Sequence, residues 1–188
     1  AVSWAGAINK KLGLMQCNTN YTASLDNFKY IHLNVINTLR QMYPSMVLGL
    51  SDHTPQHATV LGAVALGASM IEKHFTDDTA RVGPDHAFSM DAVSWREMVD
   101  RTRELELAMG AGVKRVEDNE LETVVVQRRS LRANVNLKVG HKIQENDFVP
   151  LRPCPQDAIP PSEMTSIIGS TLRRDFEKGD YLTTKDID

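Results

Sequence analysis

Three short, largely apolar runs, "GLMQC", "MVLGL" and "ASMIEK", alternate with stretches of helical period, and this alternation narrows the folds open to the chain more than any other feature. Strands that lack a polar face are buried on both sides. When helices separate them they pair in parallel beneath those helices, in an open doubly wound sheet or a barrel. Three such units do not close a barrel by themselves. Residues 25–43 place Phe28, Ile31, Val35, Ile36, Leu39 and Met42 near i, i+3, i+4 spacing, which predicts an amphipathic helix stopped by Pro44. Thr54 is expected to cap the second helix, with Pro55 at its first position and Gly67 at its end. The third helix is expected to begin after Asp91, carry Val93, Trp95, Met98, Val99, Thr102 and Leu105, and stop at Gly110.

The character changes at Ala111. "AGVKRVEDNELETVVVQ" is polar, charged and without a clean period until Val124, so residues 111–127 read as a linker between a first domain, 1–110, and a second, 128–188. The second domain contains a repeat. "LKVGHKIQENDF" and "FEKGDYLTTKDI" align at a constant offset, matching Leu137 to Phe176, Gly140 to Gly179, Ile143 to Leu182, Asp147 to Asp186 and Phe148 to Ile187. Each copy predicts a strand, a glycine turn and a short capped turn, with a brief helix in "PPSEMTSIIG" between them. A mostly β domain of about 60 residues is near the size at which a core barely suffices.

Two histidines, His53 and His74, follow adjacent strands by nearly the same interval. Parallel neighbours lie ~4.8 Å apart, and their C-terminal edge is where such sheets place ligand sites. Two imidazoles there can share one metal ion. Spacing alone favours a plainer reading, in which Ser51, Asp52 and Thr54 are capping groups and the histidines are polar loop residues. Asn18, Thr19, Asn20 and Tyr21 end the first strand at the same edge, where such residues also make ordinary turns. Glu72 is a carboxylate at a strand end beside a histidine, and Asp85 lies in a glycine–proline loop, able to hold a sugar hydroxyl or a water or to serve as a turn residue. His32, His57, His86 and His141 have no evident partner, and Met90, Met98 and Met109 are assigned to packing.

Composition excludes several classes. In 188 residues the formal net charge is −3 with mixed signs, so there is no electrostatic footprint for nucleic acid, and no window has the apolar length of a membrane span. Cys17 and Cys154 are two and far apart, which indicates neither a disulfide framework nor a zinc knuckle and fits a reducing cytoplasm. "AVSWAGAINKKLG" has neither a signal-peptide pattern nor an initiating Met, so the chain reads as beginning within a longer pattern.

"GLSDHT", "VALGASMIEKHFT", "GPDHAFSMD" and then "RRSL", "LRP", "IPPSEM" and "IG", in this order along essentially the whole chain, resemble the sialic acid synthase family, which includes bacterial synthases of N-acetylneuraminic and legionaminic acids. The resemblance implies the last three strand–helix units of a (β/α)8 TIM barrel followed by a small SAF domain related to type III antifreeze proteins. It implies condensation of phosphoenolpyruvate with an N-acylated mannosamine-type sugar. It assigns His53 and His74 to a divalent metal, manganese with magnesium or cobalt as alternatives. Glu72 and Asp85 would serve the chemistry at the sugar, and Thr19, Asn20, Tyr21 and Ser51 would bind substrate. Family members often show Asn–x–Tyr where this chain has Thr19, Asn20 and Tyr21, which leaves open which of the first two touches ligand. Lysines and an early glutamate of the first five units are not in the sequence, so the chain alone is expected to be inactive.

Arg152, bracketed by Pro150 and Pro153, is expected on an extended loop, where the plain alternative is a surface arginine paired with a nearby carboxylate. The resemblance implies that it reaches the barrel mouth of a second subunit in a domain-swapped homodimer. A different class stays open: a non-catalytic sugar- or partner-binding fragment built around the SAF domain. Ice binding is disfavoured by the densely charged "RRSLRANVNLKVGHK" and "RRDFEKGD".

Overall fold

The computed structural model describes all of residues 1–188, which divide into two compact units, Ala1–Val113 and Lys114–Asp188. The first holds helix α1 (Val2–Ile8), strand β1 (Gly13–Cys17), α2 (Val35–Met42), β2 (Val47–Asp52), α3 (Ala58–Ala65), β3 (Met70–Lys73) and α4 (Ala92–Met109). The three strands form one parallel sheet in the order β1-β2-β3. The strand–helix alternation therefore folds as expected.

Register sorts the side chains. Cys17 pairs with Ser51 and Ser51 with Glu72, whereas Asp52 pairs with Lys73 on the opposite face. On that second face Leu48, Leu50 and the half-buried Leu14 and Ile71 pack with Ile36, Ala63 and Ala68 from the helices. Gly49 keeps the strands together on the first face, since a Cβ there would lie 2.4 Å from the Met70 carbonyl oxygen.

Two helix expectations are corrected. Residues 25–43 do not form one helix: a 3-10 segment spans Leu25–Tyr30, His32 takes a φ of 49°, and α2 begins only at Val35. Side chains from the end of β1 divert the carbonyls that a continuous helix would use, because Gln16 Nε2 donates to Ile31 O at 2.9 Å and Asn18 Nδ2 to Tyr30 O at 3.3 Å. Nor does Thr54 cap α3. That helix starts after His57, and the Thr54 hydroxyl instead donates to the buried Asp52 carboxylate, a charge-assisted bond stronger than the one it would accept from a helix N–H. Gly67 does close the helix, with a φ of 83° that a side chain would strain. Asp91 begins α4 with a reciprocal cap, accepting from Ser94 N at 2.8 Å while its own N–H donates to Ser94 Oγ at 3.0 Å. Gly110 ends it.

The second unit opens with a 3-10 turn (Asp118–Glu120) and helix α5 (Leu121–Gln127), so the segment read as irregular carries a helix of its own. Strands β4 (Ser130–Ala133) and β5 (Phe148–Leu151) pair antiparallel, and α6 (Met164–Ile167) is the brief helix expected between the repeats. The two copies exchange bonds as partners. Leu137 N donates to Phe176 O and Phe176 N to Leu137 O, both at 2.9 Å. Within each copy, Asn134 N to Asp147 O is matched by Arg173 N to Asp186 O, both 2.8 Å. Asp147 accepts from Gln144 N at 2.7 Å and Asp186 from Thr183 N at 2.9 Å, the same capped turn twice. Both copies bury their central aliphatic, Ile143 and Leu182, in one cluster with Leu131, Phe148, Ile159 and Phe176. Truncating Ile143 to Ala is expected to cost about 2–5 kcal/mol, read as an earlier denaturant midpoint for the second unit followed by Trp-independent far-UV signal, since Trp4 and Trp95 both lie in the first.

Candidate metal and substrate site

At the carboxyl end of the sheet, two residues past Ser51 and Glu72, the chain places His53 and His74 with ring centroids 5.1 Å apart. Tyr21 arrives from the segment after β1, its ring 4.2 Å from His53 and 5.6 Å from His74. Phe88, buried, stands 5.9 Å from His53 and 5.0 Å from His74. Four rings thus close around one point, with Tyr21 half in solvent and Phe88 as the dry wall.

Each imidazole directs Nδ1 at an oxygen, at hydrogen-bond distance in His53 and farther in His74. His53 Nδ1 lies 2.7 Å from the Asn18 carbonyl oxygen, which can only accept, so Nδ1 carries the hydrogen and Nε2 of the neutral ring keeps its lone pair. His74 Nδ1 faces Asp85 Oδ2 at 3.5 Å. Orientation of one ring nitrogen by a carbonyl and of another by a carboxylate is the arrangement that metal-ligating histidines use to present the second nitrogen. No larger group of His, Cys, Asp or Glu side chains gathers to hold an ion, so a metal here would take two protein nitrogens and fill its other positions with water or substrate oxygens. The residues fit such an ion.

The remaining candidates separate. Ser51 Oγ donates to Glu72 Oε2 at 2.7 Å, joining two predicted residues on the sheet face that leads to the histidines. Glu72 is exposed, so its charge needs no buried partner. Asn20 donates through Nδ2 to the buried Asn27 at 3.1 Å, and Thr19 makes no side-chain hydrogen bond. Arg152, in the second unit, is exposed; its Nε donates to Gln127 O at 2.7 Å rather than to a carboxylate, which leaves both terminal nitrogens free. His86 and His141 do have partners, Thr76 Oγ1 at 2.7 Å and Asp147 Oδ2 at 2.6 Å.

Sequence reasoning missed Phe88 as a site wall and Asn18 as the orienting group. It also missed the charge pair beneath them. Asp52 and Lys73, whose side chains are 0% and 1% exposed, meet at 2.6 Å. Burial pulls the Lys73 ammonium below its ordinary range, against the opposing influence of Asp52 and Glu72. The signal was in the register: "SDH" and "EKH" put an acid and a base in the same place before each histidine.

Residues 1–114 match the NeuB family and residues 128–188 the SAF domain. The chain is 35% identical over 185 residues to the N,N'-diacetyllegionaminic acid synthase of Legionella pneumophila, covering 98% of this chain and 50% of that protein. It spans about half the length of the curated relatives it matches. The crystal structure of N-acetylneuraminic acid synthetase from Leptospira borgpetersenii superimposes with a TM-score of 0.54 at 29% identity, over 65% of this chain and 43% of that one. Spore coat polysaccharide biosynthesis protein E from Chromobacterium violaceum, 22% identical, shares the fold with a TM-score of 0.62 over 94% of this chain and 52% of that one.

Phe88→Ala is expected to destabilise the first unit by about 3–5 kcal/mol and to shift the ring-proton resonances of His53 and His74, with those of His141 unchanged as the internal control.

Proposed function

The chain belongs to the NeuB family and carries a SAF domain, and on that premise we propose that it forms the carboxyl-terminal part of a nonulosonic acid synthase. In this reading the first unit supplies three strand–helix units of a TIM barrel. The enzyme, working in the cytoplasm, joins phosphoenolpyruvate to an N-acylated mannosamine-type sugar. The enol carbon bonds to the sugar aldehyde carbon, water adds to the neighbouring phosphoenolpyruvate carbon, and the C–O bond to phosphate breaks, giving a nine-carbon 2-keto acid and inorganic phosphate.

The observation that carries the proposal is the pair of histidines at adjacent strand ends, each with Nδ1 directed at an oxygen. His53 and His74 would hold manganese, or magnesium or cobalt in its place, which when bound supplies Lewis acidity toward the sugar carbonyl and acidity to water. The other roles belong to the chain. Asp85 holds His74 by its Nδ1 side and presents its exposed oxygen edge to sugar hydroxyls. Ser51 faces the phosphoenolpyruvate, and Glu72, receiving the Ser51 hydroxyl, faces the sugar. Tyr21 covers His53 and keeps bulk water from the rings, with Asn20 and Thr19 beside it as binding candidates. Arg152, with its free fork of terminal nitrogens, suits the acyl group or hydroxyls of a sugar held by a partner subunit in a swapped homodimer.

Titrating the chain with Mn(II) is expected to give a single site that weakens at least tenfold in His53→Ala and in His74→Ala; undiminished binding in both removes the metal assignment. Assayed alone with Mn(II), phosphoenolpyruvate and N-acetylmannosamine, the 188-residue chain is expected to release no phosphate. In a full-length enzyme, Arg152→Ala and His53→Ala subunits are expected to be nearly inactive singly and to recover part of the activity when refolded together. Heterodimers that form without recovery would take Arg152 out of the partner's site.

A further inference from the structure

The buried Asp52–Lys73 pair occupies a particular place in the chain: Asp52 immediately precedes His53, and Lys73 immediately precedes His74. Lys73 Nζ donates to Asp52 Oδ2 at 2.6 Å and to Thr54 O, also at 2.6 Å, so one ammonium from β3 grips the residues on both sides of His53. Asp52 in turn accepts from Thr54 N at 3.1 Å, Thr54 Oγ1 at 2.9 Å and Thr59 Oγ1 at 2.5 Å, which closes the turn around His53 and ties it to the first helical turn of α3. On the other side the His74 carbonyl accepts from Met90 N at 2.9 Å. The hydrogen bonds of both charges go to one another and to Thr54 and Thr59, none to a ring nitrogen. A buried ion pair is a poor source of stability compared with apolar packing of the same volume, so its presence calls for another reason.

We infer that the Asp52–Lys73 pair, with Thr54 and Thr59, is a positioning device that sets the separation and orientation of the His53 and His74 rings. An ion pair with directional hydrogen bonds fixes the relative position of two strand ends in a way that sliding apolar contacts do not. The inference rests on the two-histidine site proposed above, while its geometry holds in the metal-free chain.

The test uses the 188-residue chain carrying both Asp52→Asn and Lys73→Met, which removes the charges together and leaves neither one buried alone. In the metal-free wild-type chain a cross-peak between the His53 and His74 ring protons and a hydrogen-bonded His53 Nδ1–H are expected in NMR spectra. In the double variant, with a melting temperature within a few degrees of wild type, both signals are expected to be lost, and Mn(II) affinity to fall by roughly 10-fold or more. A folded double variant that keeps the cross-peak and the Nδ1–H overturns the inference. If the double variant does not fold, the near-isosteric Thr59→Val, which leaves the ion pair, decides: at least a halving of the cross-peak supports the device, and an unchanged cross-peak overturns it. A wild-type chain that binds no Mn(II) defeats the metal assignment alone, because the ring signals still report on the pair.

Discussion

The parallel register of β2 against β3 is the constraint on which the first unit depends. Because side chains alternate across a strand, pairing Ser51 with Glu72 commits Asp52 and Lys73 to the helix-covered side and sends the next same-side residues, His53 and His74, toward one another. A slip of one residue in β3 would put Glu72 in place of Ile71 in the apolar layer with Leu48 and Leu50, and would carry Lys73 away from Asp52. Single buried charges cost several kcal/mol each. The packing of the core and the spacing of the site are therefore one condition, met by one register.

Around that register the local chemistry is divided between holding and binding. The threonines, the lysine and the Asp52 carboxylate satisfy each other below the strand ends, whereas above them the polar atoms are left outward: a histidine Nε2 on each side, the Glu72 carboxylate and the exposed edge of Asp85. Phe88 and Tyr21 pack against the rings without competing for these atoms. Such a site can be rigid and still have unspent donor and acceptor capacity.

The second unit solves a different problem. With few residues for a core, it folds two copies of one motif so that each supplies hydrogen-bond partners to the other, as the reciprocal Leu137–Phe176 bonds and the matched pair Gly140 N to Leu172 O and Gly179 N to Ala133 O show. The cluster that contains Ile143, Leu182 and Phe176 is shared by both copies, so neither could bury its apolar face alone. Its loop at Arg152 is held by contacts within the unit: Ser130 Oγ and Arg132 Nη2 both donate to Pro153 O, at 2.8 and 3.0 Å.

Much of this was legible from residue order. The strand–helix alternation, the end of α3 at Gly67, the start of α4 at Asp91 and the internal repeat each depend on local periodicity or on the backbone preference of a single residue, and such properties are written along the chain. Also legible was the placement of two histidines at neighbouring strand ends, since parallel pairing follows from the alternation. What the tertiary structure alone decided are the interactions between residues distant in sequence. The break after Tyr30 arises because Gln16 and Asn18 take helix carbonyls. Thr54 leaves its expected cap because Lys73 brings Asp52 a buried charge to stabilise. Phe88 and Asn18 belong to the site because folding carries them there. Local propensities of a few tenths to about 1 kcal/mol yield wherever a desolvated charge or carbonyl must find its partner, and that demand exists only once the chain has folded.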